Sequence, residues 1–316
     1  MPYGGVAYPY RMGVYEISED QVKKAAAGGL ANVRAEGRWT NLQPATYITW
    51  YEAAAFANWL NESKGYHKAY DLLYTDRWEM VLWSDDQAWS AGGINRYRHK
   101  DAFYFLPTED EWYKAAFHKN DGVTVNYWDY ASAKNAAPDG VDSALDTGFD
   151  AVFGEGYSLS RPYDVTNVGA PSPYGTYGQN GNVEEWCESS YNGQTASASA
   201  NRVVRGGGFQ DGAPGARPIT RFTYAMTSGP GGRGFRVASS SGLSQPRLQL
   251  RPNGATGFIF EWDAQPGIVY NLLWAADLSG TFETISGDIE HPEHSYTNTM
   301  QLNSPSGFYR VSARPK

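Results

Sequence analysis

The residue types that carry out most enzyme chemistry are scarce in this chain. Its one cysteine, Cys187, excludes an internal disulfide, a CxxC redox pair and a zinc cluster built on cysteines. Its five histidines form no HExxH metal motif, and no GxSxG motif presents a serine nucleophile. His291 and His294 are spaced so that both could bind one metal, but their place in a predicted turn favours a solvated loop. The segment GPGGRG at 229–234 precedes a strand rather than a helix, so it is not expected to bind a phosphate.

The composition narrows the class of partner. The 316 residues carry 26 Lys+Arg and 34 Asp+Glu, and the net charge of −8 argues against nucleic acid, which needs clustered basic residues. No run approaches the ~18 apolar residues of a membrane helix, so we expect no membrane insertion. Aromatic residues make up 15% of the chain and charged residues only 19%. We therefore expect a soluble protein whose surface is rich in aromatic side chains.

Two capping boxes predict the main helices that position the remaining candidates. Thr49 and Glu52 precede the amphipathic run AAAFANWLNESKG, and Gly65 is expected to stop that helix. Thr108 and Glu111 open a second helix over WYKAAFHKN, which is expected to close at 120–122. A weaker amphipathic stretch covers 18–28, and the rest is β or irregular.

A change in composition predicts two domains. The segment SSSGLSQP at 239–246 is small and polar, as linkers are. After it, short β-branched and aromatic segments alternate with Asn-Gly, Pro-Gly and Ser-Gly turns. We expect an α+β domain over 1–240, a linker over 241–245, and a small all-β, sandwich-like domain over 246–316.

Six phrases in the first domain form an ordered set: YRMGVYEIS (10–18), ITWYEAAAFANWLN (48–61), FLPTEDEWYKAA (105–116), SPYGTYGQNGNVEEW (172–186), RVVRGGGF (202–209) and GFRVAS (234–239). Together they resemble the formylglycine-generating enzyme family, also called the sulfatase-modifying factor domain. Their order matches the family, and the resemblance covers about three quarters of the chain. It implies a C-type-lectin-like α+β fold with little regular structure. It also implies that Arg205, Arg221 and Arg236 are buried against acids and carbonyls, which suits the planar guanidinium.

Several apolar and glycine residues in these phrases are better explained by packing than by ligand binding. The triplet at 206–208 follows a strand-like run, where glycine lets two backbones pass closely. The tryptophans of the helices and strand junctions are expected in the core: Trp50, Trp59, Trp112 and Trp186.

The chain lacks the pair of cysteines on which the family's activity depends. The resemblance places Asp211 and Ala216 at the two positions that bind copper in the family. A soft cuprous ion has no ligand there, so we expect no copper and no formylglycine-generating activity. Cys187 lies elsewhere and is expected to be a buried, inert thiol.

Calcium is the cofactor that the resemblance does suggest. The implied ligands are the carbonyls of Gly181 and Val183 and the carboxylate of Glu185, because calcium prefers hard oxygen donors. The chain departs from the family at Gly178, where Asn or Asp is common, and at Glu184, which replaces a tryptophan. The alternative is that Glu185 only pairs with an arginine.

The family's cleft suggests the ligand-binding residues, and three functions stay open. The first is a non-catalytic module that binds a glycan or a peptide or protein surface through stacking and directed hydrogen bonds. The second is an enzyme of altered chemistry, either a carboxylate-based hydrolase or lyase using residues such as Asp211 and Glu188 or an iron-dependent oxidase. The third is a structural or assembly protein. The cleft residues are Asp211, Arg217, Arg221, Phe222, Tyr224 and Tyr191, and a second candidate surface carries Trp262, Trp274 and Tyr296.

The composition also predicts where the protein acts. Scarce cysteine, low charge, Gly/Asn/Ser/Tyr-rich loops and a β tail resemble exported bacterial proteins. We expect a secreted or cell-surface protein whose signal peptide is not present in this chain.

Overall fold

The computed structural model describes most of the chain, and it divides into two compact units, Met1–Ser240 and Ser241–Lys316. The described residues are 3–33, 39–143, 145–156, 158–193, 195, 197–229, 231–240, 248–253, 257–262, 268–276, 282–290, 295–298 and 308–315.

Three helices occur in the first unit: α1 (Glu19–Ala27), α2 (Trp50–Glu62) and α3 (Glu109–Phe117). Capping boxes at Thr49 and Thr108 are formed as predicted, each with its hydroxyl accepting the N–H of the glutamate three residues on. Helix α3 ends earlier than predicted, because His118 adopts an extended backbone and pairs with Tyr127. No helix among the described ranges has the length and apolar character needed to cross a membrane.

Short strands surround these helices and confirm the α+β class. The four-stranded sheet has the order β10-β7-β8-β9, with β7 parallel to β10 and antiparallel to β8. A three-stranded sheet has the order β1-β11-β6, and β2-β3 and β4-β5 are separate hairpins. The strands are β1 (Tyr10–Met12), β2 (Asp71–Tyr74), β3 (Trp78–Val81), β4 (Ala88–Trp89), β5 (Asn95–His99), β6 (Tyr104–Phe105), β7 (Glu184–Ser190), β8 (Arg202–Arg205), β9 (Phe222–Tyr224), β10 (Arg233–Gly234) and β11 (Ala238–Ser240).

The core of this unit lies on both faces of β7. Successive strand residues point to opposite faces, so Trp186 packs against α2 while Cys187 packs with Trp112 of α3. Trp50, Trp112 and Trp186 are fully buried, as predicted, whereas Trp59 is half-buried. Burial raises the pKa of the Cys187 thiol well above its usual value, which agrees with an inert side chain.

The glycine triplet after β8 has the packing role that was predicted. Gly207 has a φ of +68°, and a Cβ there would lie 2.9 Å from the carbonyl carbon of Gly215. Only glycine fits both the left-handed backbone and this close approach. Gly207 therefore packs against the short 3-10 helix Ala213–Ala216, and Gly208 lies beside the start of β7.

The second unit is built from two three-stranded antiparallel sheets, β12-β13-β16 and β15-β14-β17. Both sheets contribute to one cluster, in which the ring centroids of Phe260 and Tyr309 are 4.7 Å apart. Trp262 is only 3% exposed, so its predicted role on an exposed surface is wrong. Trp274 is half-buried, and the side chain of Tyr296 and both His291 and His294 lie outside the described residues. The strands are β12 (Gln249–Asn253), β13 (Gly257–Glu261), β14 (Ile268–Ala275), β15 (Glu283–Glu290), β16 (Ser295–Asn298) and β17 (Phe308–Pro315).

Candidate functional site

A buried ion cluster joins β5, α3 and β7. Arg98 contacts Glu111 and Glu188 at 3.0 Å each, and all three side chains are fully buried. Burial raises the pKa of the Glu111 carboxyl, but the positive charge of Arg98 lowers it by more, so this pKa lies below its usual value. Glu188 also accepts hydrogen bonds from Tyr70 and Asn95. The proposed catalytic use of Glu188 is therefore not supported, because this carboxylate is already neutralised by an arginine.

A second ion cluster lies at the start of α3. Arg221 donates to both oxygens of Glu109, at 2.9 and 2.7 Å, and Arg205 donates to the same carboxylate. Arg221 also donates to the carbonyl of Tyr191, and its guanidinium lies 4.2 Å from the centroid of the Tyr191 ring. Burial opposes the charge on Arg221, but Glu109 raises its pKa overall. Tyr191 is thus held in place by a fixed cation.

These two clusters form one wall of a cavity of about 510 Å³, which we call the Tyr191 pocket. Aromatic side chains come from the N-terminal segment, the β4-β5 hairpin and the loop after β7. Tyr191 itself is 46% exposed. Polar groups lie among the rings, and two of them are held by the ion clusters: Asn95 donates to Glu188 and Arg221 donates to Glu109. The aromatic lining residues are Tyr3, Tyr8, Trp89, Tyr97 and Tyr191, and polar ones include Asn95, Ser190, Asn192 and Arg221.

A different group of residues surrounds Asp211, at the position where the resemblance would place the first cysteine. Its carboxylate accepts the N–H of Gly208 at 2.8 Å, and a Cβ at Gly208 would lie 3.7 Å from the Cγ of Glu184. A guanidinium nitrogen of Arg233 lies 3.6 Å from a carboxylate oxygen of Glu184. Burial and then the charge of Asp211 raise the pKa of Glu184 to about 7, against the opposing effect of Arg233. The guanidinium of Arg233 lies 3.8 Å from the Tyr224 ring centroid.

The structure therefore divides the predicted cleft residues into separate places. Tyr191 and Arg221 line the Tyr191 pocket, whereas Asp211 and Tyr224 adjoin Glu184. Arg217 lies 5.9 Å from the ring of Tyr130. Phe222 packs against the main core. Ala216 is buried at the end of the 3-10 helix.

Sequence reasoning missed several residues of these two sites. Glu184 was visible only as a departure from the family's tryptophan, and nothing in its neighbours along the chain indicated a role. Tyr8, Trp89 and Asn95 were missed because they enter the Tyr191 pocket from segments that lie far from Tyr191 along the chain. Their only signal was the general excess of aromatic residues.

The residues assigned to calcium lie at the start of β7, and Glu185 forms the ion pair that was the alternative. Arg236 donates to both oxygens of Glu185 at 2.6 Å, and the indole of Trp112 donates at 2.8 Å. Gly181 packs closely against Val152, and the N–H of Val183 donates to Glu16. Within the described ranges, no group of three or more His, Cys, Asp or Glu side chains is placed to hold a metal ion. A carboxylate that already holds a guanidinium is a poor fit for calcium, which stays a prediction.

The glutamate at position 16 shares this buried site. Burial and then the charge of Glu185 raise the pKa of Glu16 well above its usual value, although Arg236 opposes them. The side-chain amide of Asn182 donates to Glu16 at 2.8 Å. Arg236 therefore interacts electrostatically with two buried carboxyl groups, those of Glu185 and Glu16.

Comparison with known proteins identifies the family. The family model of the sulfatase-modifying factor enzyme 1-like domain matches residues 7–241. The fold is similar to that of Treponema denticola variable protein 1, at 22% identity and a TM-score of 0.51, covering 73% of this chain and 84% of that chain. CarF has 21% identity and a TM-score of 0.49, with 73% of this chain and 86% of that chain covered. PvdO from Pseudomonas aeruginosa has 17% identity and a TM-score of 0.45, with 74% of this chain and 82% of that chain covered. No curated protein matches the chain. The family model spans well over half of the sequence, and the chain belongs to the sulfatase-modifying factor enzyme 1-like domain family.

Proposed function

We propose that this protein is a non-catalytic recognition module that binds an uncharged glycan in the Tyr191 pocket. The observation that carries the proposal is the combination of aromatic ring faces with polar side chains held in place by buried ion pairs. Sugar rings stack on aromatic faces, and their hydroxyl groups need fixed donors and acceptors. Rigid polar groups lower the entropy that is lost when a ligand binds.

The charges of the pocket favour an uncharged ligand over an anionic one. The carboxylates of Glu109 and Glu188 lie at its wall, and each already pairs with an arginine. Asp110 adds an acid that accepts the N–H of Gly4. Among the described lining residues Arg221 is the one arginine or lysine that an anionic glycan would meet, and both oxygens of Glu109 already bind it.

The loss of the family's chemistry supports a binding role. Asp211 and Ala216 stand where the resemblance requires thiolates, and the one cysteine is buried elsewhere. We also propose that the scaffold is C-type-lectin-like and displays loops, and that the protein is exported from the cytoplasm. Scarce cysteine and polar, tyrosine-rich loops support export.

A glycan array with the full chain tests this function, with neutral and acidic glycans and peptides displayed together. We expect neutral glycans to bind. The best glycan is then titrated against Tyr191→Ala and against Trp128→Ala, a half-buried tryptophan outside the pocket. Loss of a stacking residue costs about 1–3 kcal/mol, so Tyr191→Ala should weaken binding about tenfold or more while Trp128→Ala does not. Exclusive binding of acidic glycans or peptides, or equal affinity of both variants, would refute the proposal.

An enzyme of altered chemistry is the second candidate, and the approach of Glu184 to Asp211 favours it. Two carboxyl groups flank Gly208, and an arginine faces one of them. Pairs of acids in unlike surroundings serve as acid and base in many hydrolases. If the array ligand is cleaved by the parent chain and not by Asp211→Asn, the enzyme is the better description. We expect no cleavage.

A further inference from the structure

A groove lies along the outer edge of strand β1. This strand is the last one in the sheet β1-β11-β6, so β11 is its neighbour on one side only. A cavity of about 510 Å³ adjoins β1, and none of its described lining residues belongs to β11 or β6. The cavity is therefore on the side of β1 that faces away from the sheet, and we call it the β1 groove. Its walls are residues 8–12 and Val14 on one side and Lys114, Ala115, Tyr174 and Thr176 on the other.

The hydrogen-bonding register identifies the backbone groups that face the groove. Gly13 donates its N–H to the carbonyl of Val237 at 2.8 Å. These two residues continue the antiparallel register of β1 with β11 by one step. Hydrogen-bonded pairs alternate along antiparallel strands, so the N–H and C=O groups of Arg11 face β11 and those of Tyr10 and Met12 face away from it. Within the described ranges, no protein group hydrogen-bonds the outward-facing backbone of Tyr10 or Met12.

The backbone next to this edge already pairs with another segment of the chain. The N–H of Tyr177 donates to the carbonyl of Val14 at 2.8 Å, two residues after β1 ends. The segment before Tyr177 does not continue along β1, because it closes a turn in which the N–H of Ser172 donates to the carbonyl of Thr176 at 2.7 Å. The fold thus pairs the backbone just beyond β1 and leaves the outer edge of β1 itself open.

The charged groups of the groove are positive. Arg11 and Lys114 are the charged residues among its described lining residues. Lys114 donates to the carbonyl of Val6 at 3.2 Å. Arg11 is exposed, and no carboxylate in the part of the chain that the structure describes lies within ion-pair distance of it. A protein with a net charge of −8 therefore presents a cation without an acidic partner at this edge.

The two faces of β1 favour different side chains on a neighbouring strand. Arg11 shares one face with Tyr104 of β6, because both pair with the same residue of β11. On the other face, Met12 packs against the main core, and Tyr10 donates to the carbonyl of Glu111 at 2.7 Å. Side chains alternate between the faces of a sheet, and opposite charges on adjacent strands attract. A strand placed beside β1 is therefore best served by an acidic residue next to Arg11 and apolar residues on the other face.

We propose that the β1 groove binds an extended, acidic peptide segment that joins the sheet as a fourth strand. In this mode of recognition the backbone hydrogen bonds provide affinity, and alternate side chains provide specificity. Because β1 has three residues, the contact is short and the binding is weak. The proposal does not rest on the glycan site: Tyr8 borders both cavities, and their other described lining residues differ.

Amide hydrogen exchange, measured by NMR on the full chain, tests the proposal with the blocked peptide Ac-Val-Glu-Val-Glu-Val-NH2. In the free protein, the amide of Arg11 should be protected by β11, while the amides of Tyr10 and Met12 exchange faster. Saturating peptide should slow exchange at Tyr10 and Met12 about tenfold or more and leave Arg11 nearly unchanged. Absence of saturable binding, or binding without this alternating protection, would overturn the proposal.

Two further peptides separate the contribution of charge from that of the backbone. The peptide Ac-Val-Lys-Val-Lys-Val-NH2 should bind about fivefold more weakly or less, because it places like charges next to Arg11. The glutamate peptide methylated at every backbone nitrogen keeps its charges but has no N–H donors, so it should bind at least about tenfold more weakly than the parent peptide. Equal affinity of the methylated and parent peptides would mean that charge alone attracts the peptide, and strand addition would be wrong.

A charge reversal in the protein locates the site. Arg11→Glu should invert the preference, so that the lysine peptide binds more tightly than the glutamate peptide. The melting temperature should stay the same, because Arg11 is exposed. Arg217→Glu makes the same change at an exposed arginine outside the groove and is the matched control. If Arg11→Glu keeps the preference for the glutamate peptide, or if Arg217→Glu inverts it as well, the peptide binds elsewhere and the proposal fails.

Discussion

Replacing Arg236 by alanine should destabilise the first unit severely, because one guanidinium neutralises two buried acids. Arg236 is fully buried and donates to both oxygens of Glu185. It also donates to the carbonyls of Gly13, Val14 and Tyr177. Without it, Glu185 and Glu16 remain in the core with no cation, and an uncompensated buried charge costs about 3–5 kcal/mol.

The expected size of the effect can be worked out from the length of the unit. A domain of 150–250 residues loses roughly 2–4 °C of melting temperature per kcal/mol. The unit Met1–Ser240 falls in that range, so Arg236→Ala should lower its melting temperature by about 6–20 °C. Near-ultraviolet circular dichroism during heating measures this directly.

An exposed pair provides the matched control. Arg96 contacts Asp85 at 2.6 Å, the same separation as Arg236 and Glu185, but its two side chains are 41% and 55% exposed. Water screens the charges of an exposed pair, so Arg96→Ala should have a small effect. The double variant Glu185→Gln with Arg236→Met should be less destabilised than Arg236→Ala, because it removes both charges of the pair. Equal shifts for Arg236→Ala and Arg96→Ala would refute the argument from burial.

Three further predictions concern chemistry, pH and a helix cap. Asp211 and Ala216 occupy the thiolate positions, so a cysteine-bearing sulfatase peptide incubated with the chain, copper and oxygen should yield no aldehyde. Mass spectrometry of the peptide measures this, and turnover would disprove the alignment of this segment. Burial and the neighbouring His67 lower the pKa of His99 to about 4, so the unfolded chain binds this proton more readily and the melting temperature should fall as pH drops from about 6.5 toward 4. His99→Phe should flatten that dependence, and an unchanged slope would rule out His99 as its source. Thr49→Ala removes the cap of α2 and should lower the free energy of unfolding by about 1 kcal/mol, whereas a loss below the error of chemical denaturation would show that the cap is redundant.

The helices could be predicted from the sequence because their signals are local. The capping hydrogen bonds of Thr49 and Thr108 span three residues, so their partners can be identified in the sequence. The end of α3 could not be predicted as well, since His118 leaves the helix to pair with Tyr127 across a turn.

The resemblance implied that Arg205, Arg221 and Arg236 are buried; Arg205 and Arg236 are, Arg221 is half-buried, and the buried Arg98 was not predicted. Arg236 joins backbone groups as far as 223 residues away, and Arg98 meets Glu188 across 90 residues. Such partners depend on which strands are neighbours in the sheets, and no spacing along the chain encodes that. The partners of Glu188 could not be predicted for the same reason.

The candidate sites show the same division between sequence and structure. The sequence by itself determined that positions 211 and 216 carry no thiolate, because Asp211 and Ala216 can be read from residue types alone. Only the tertiary structure decided that Tyr191 and Arg221 share a pocket with Trp89, and that Asp211 lies beside Glu184 instead. Pockets form where loops from distant segments meet, so their composition follows from how the sheets and helices pack and not from local sequence.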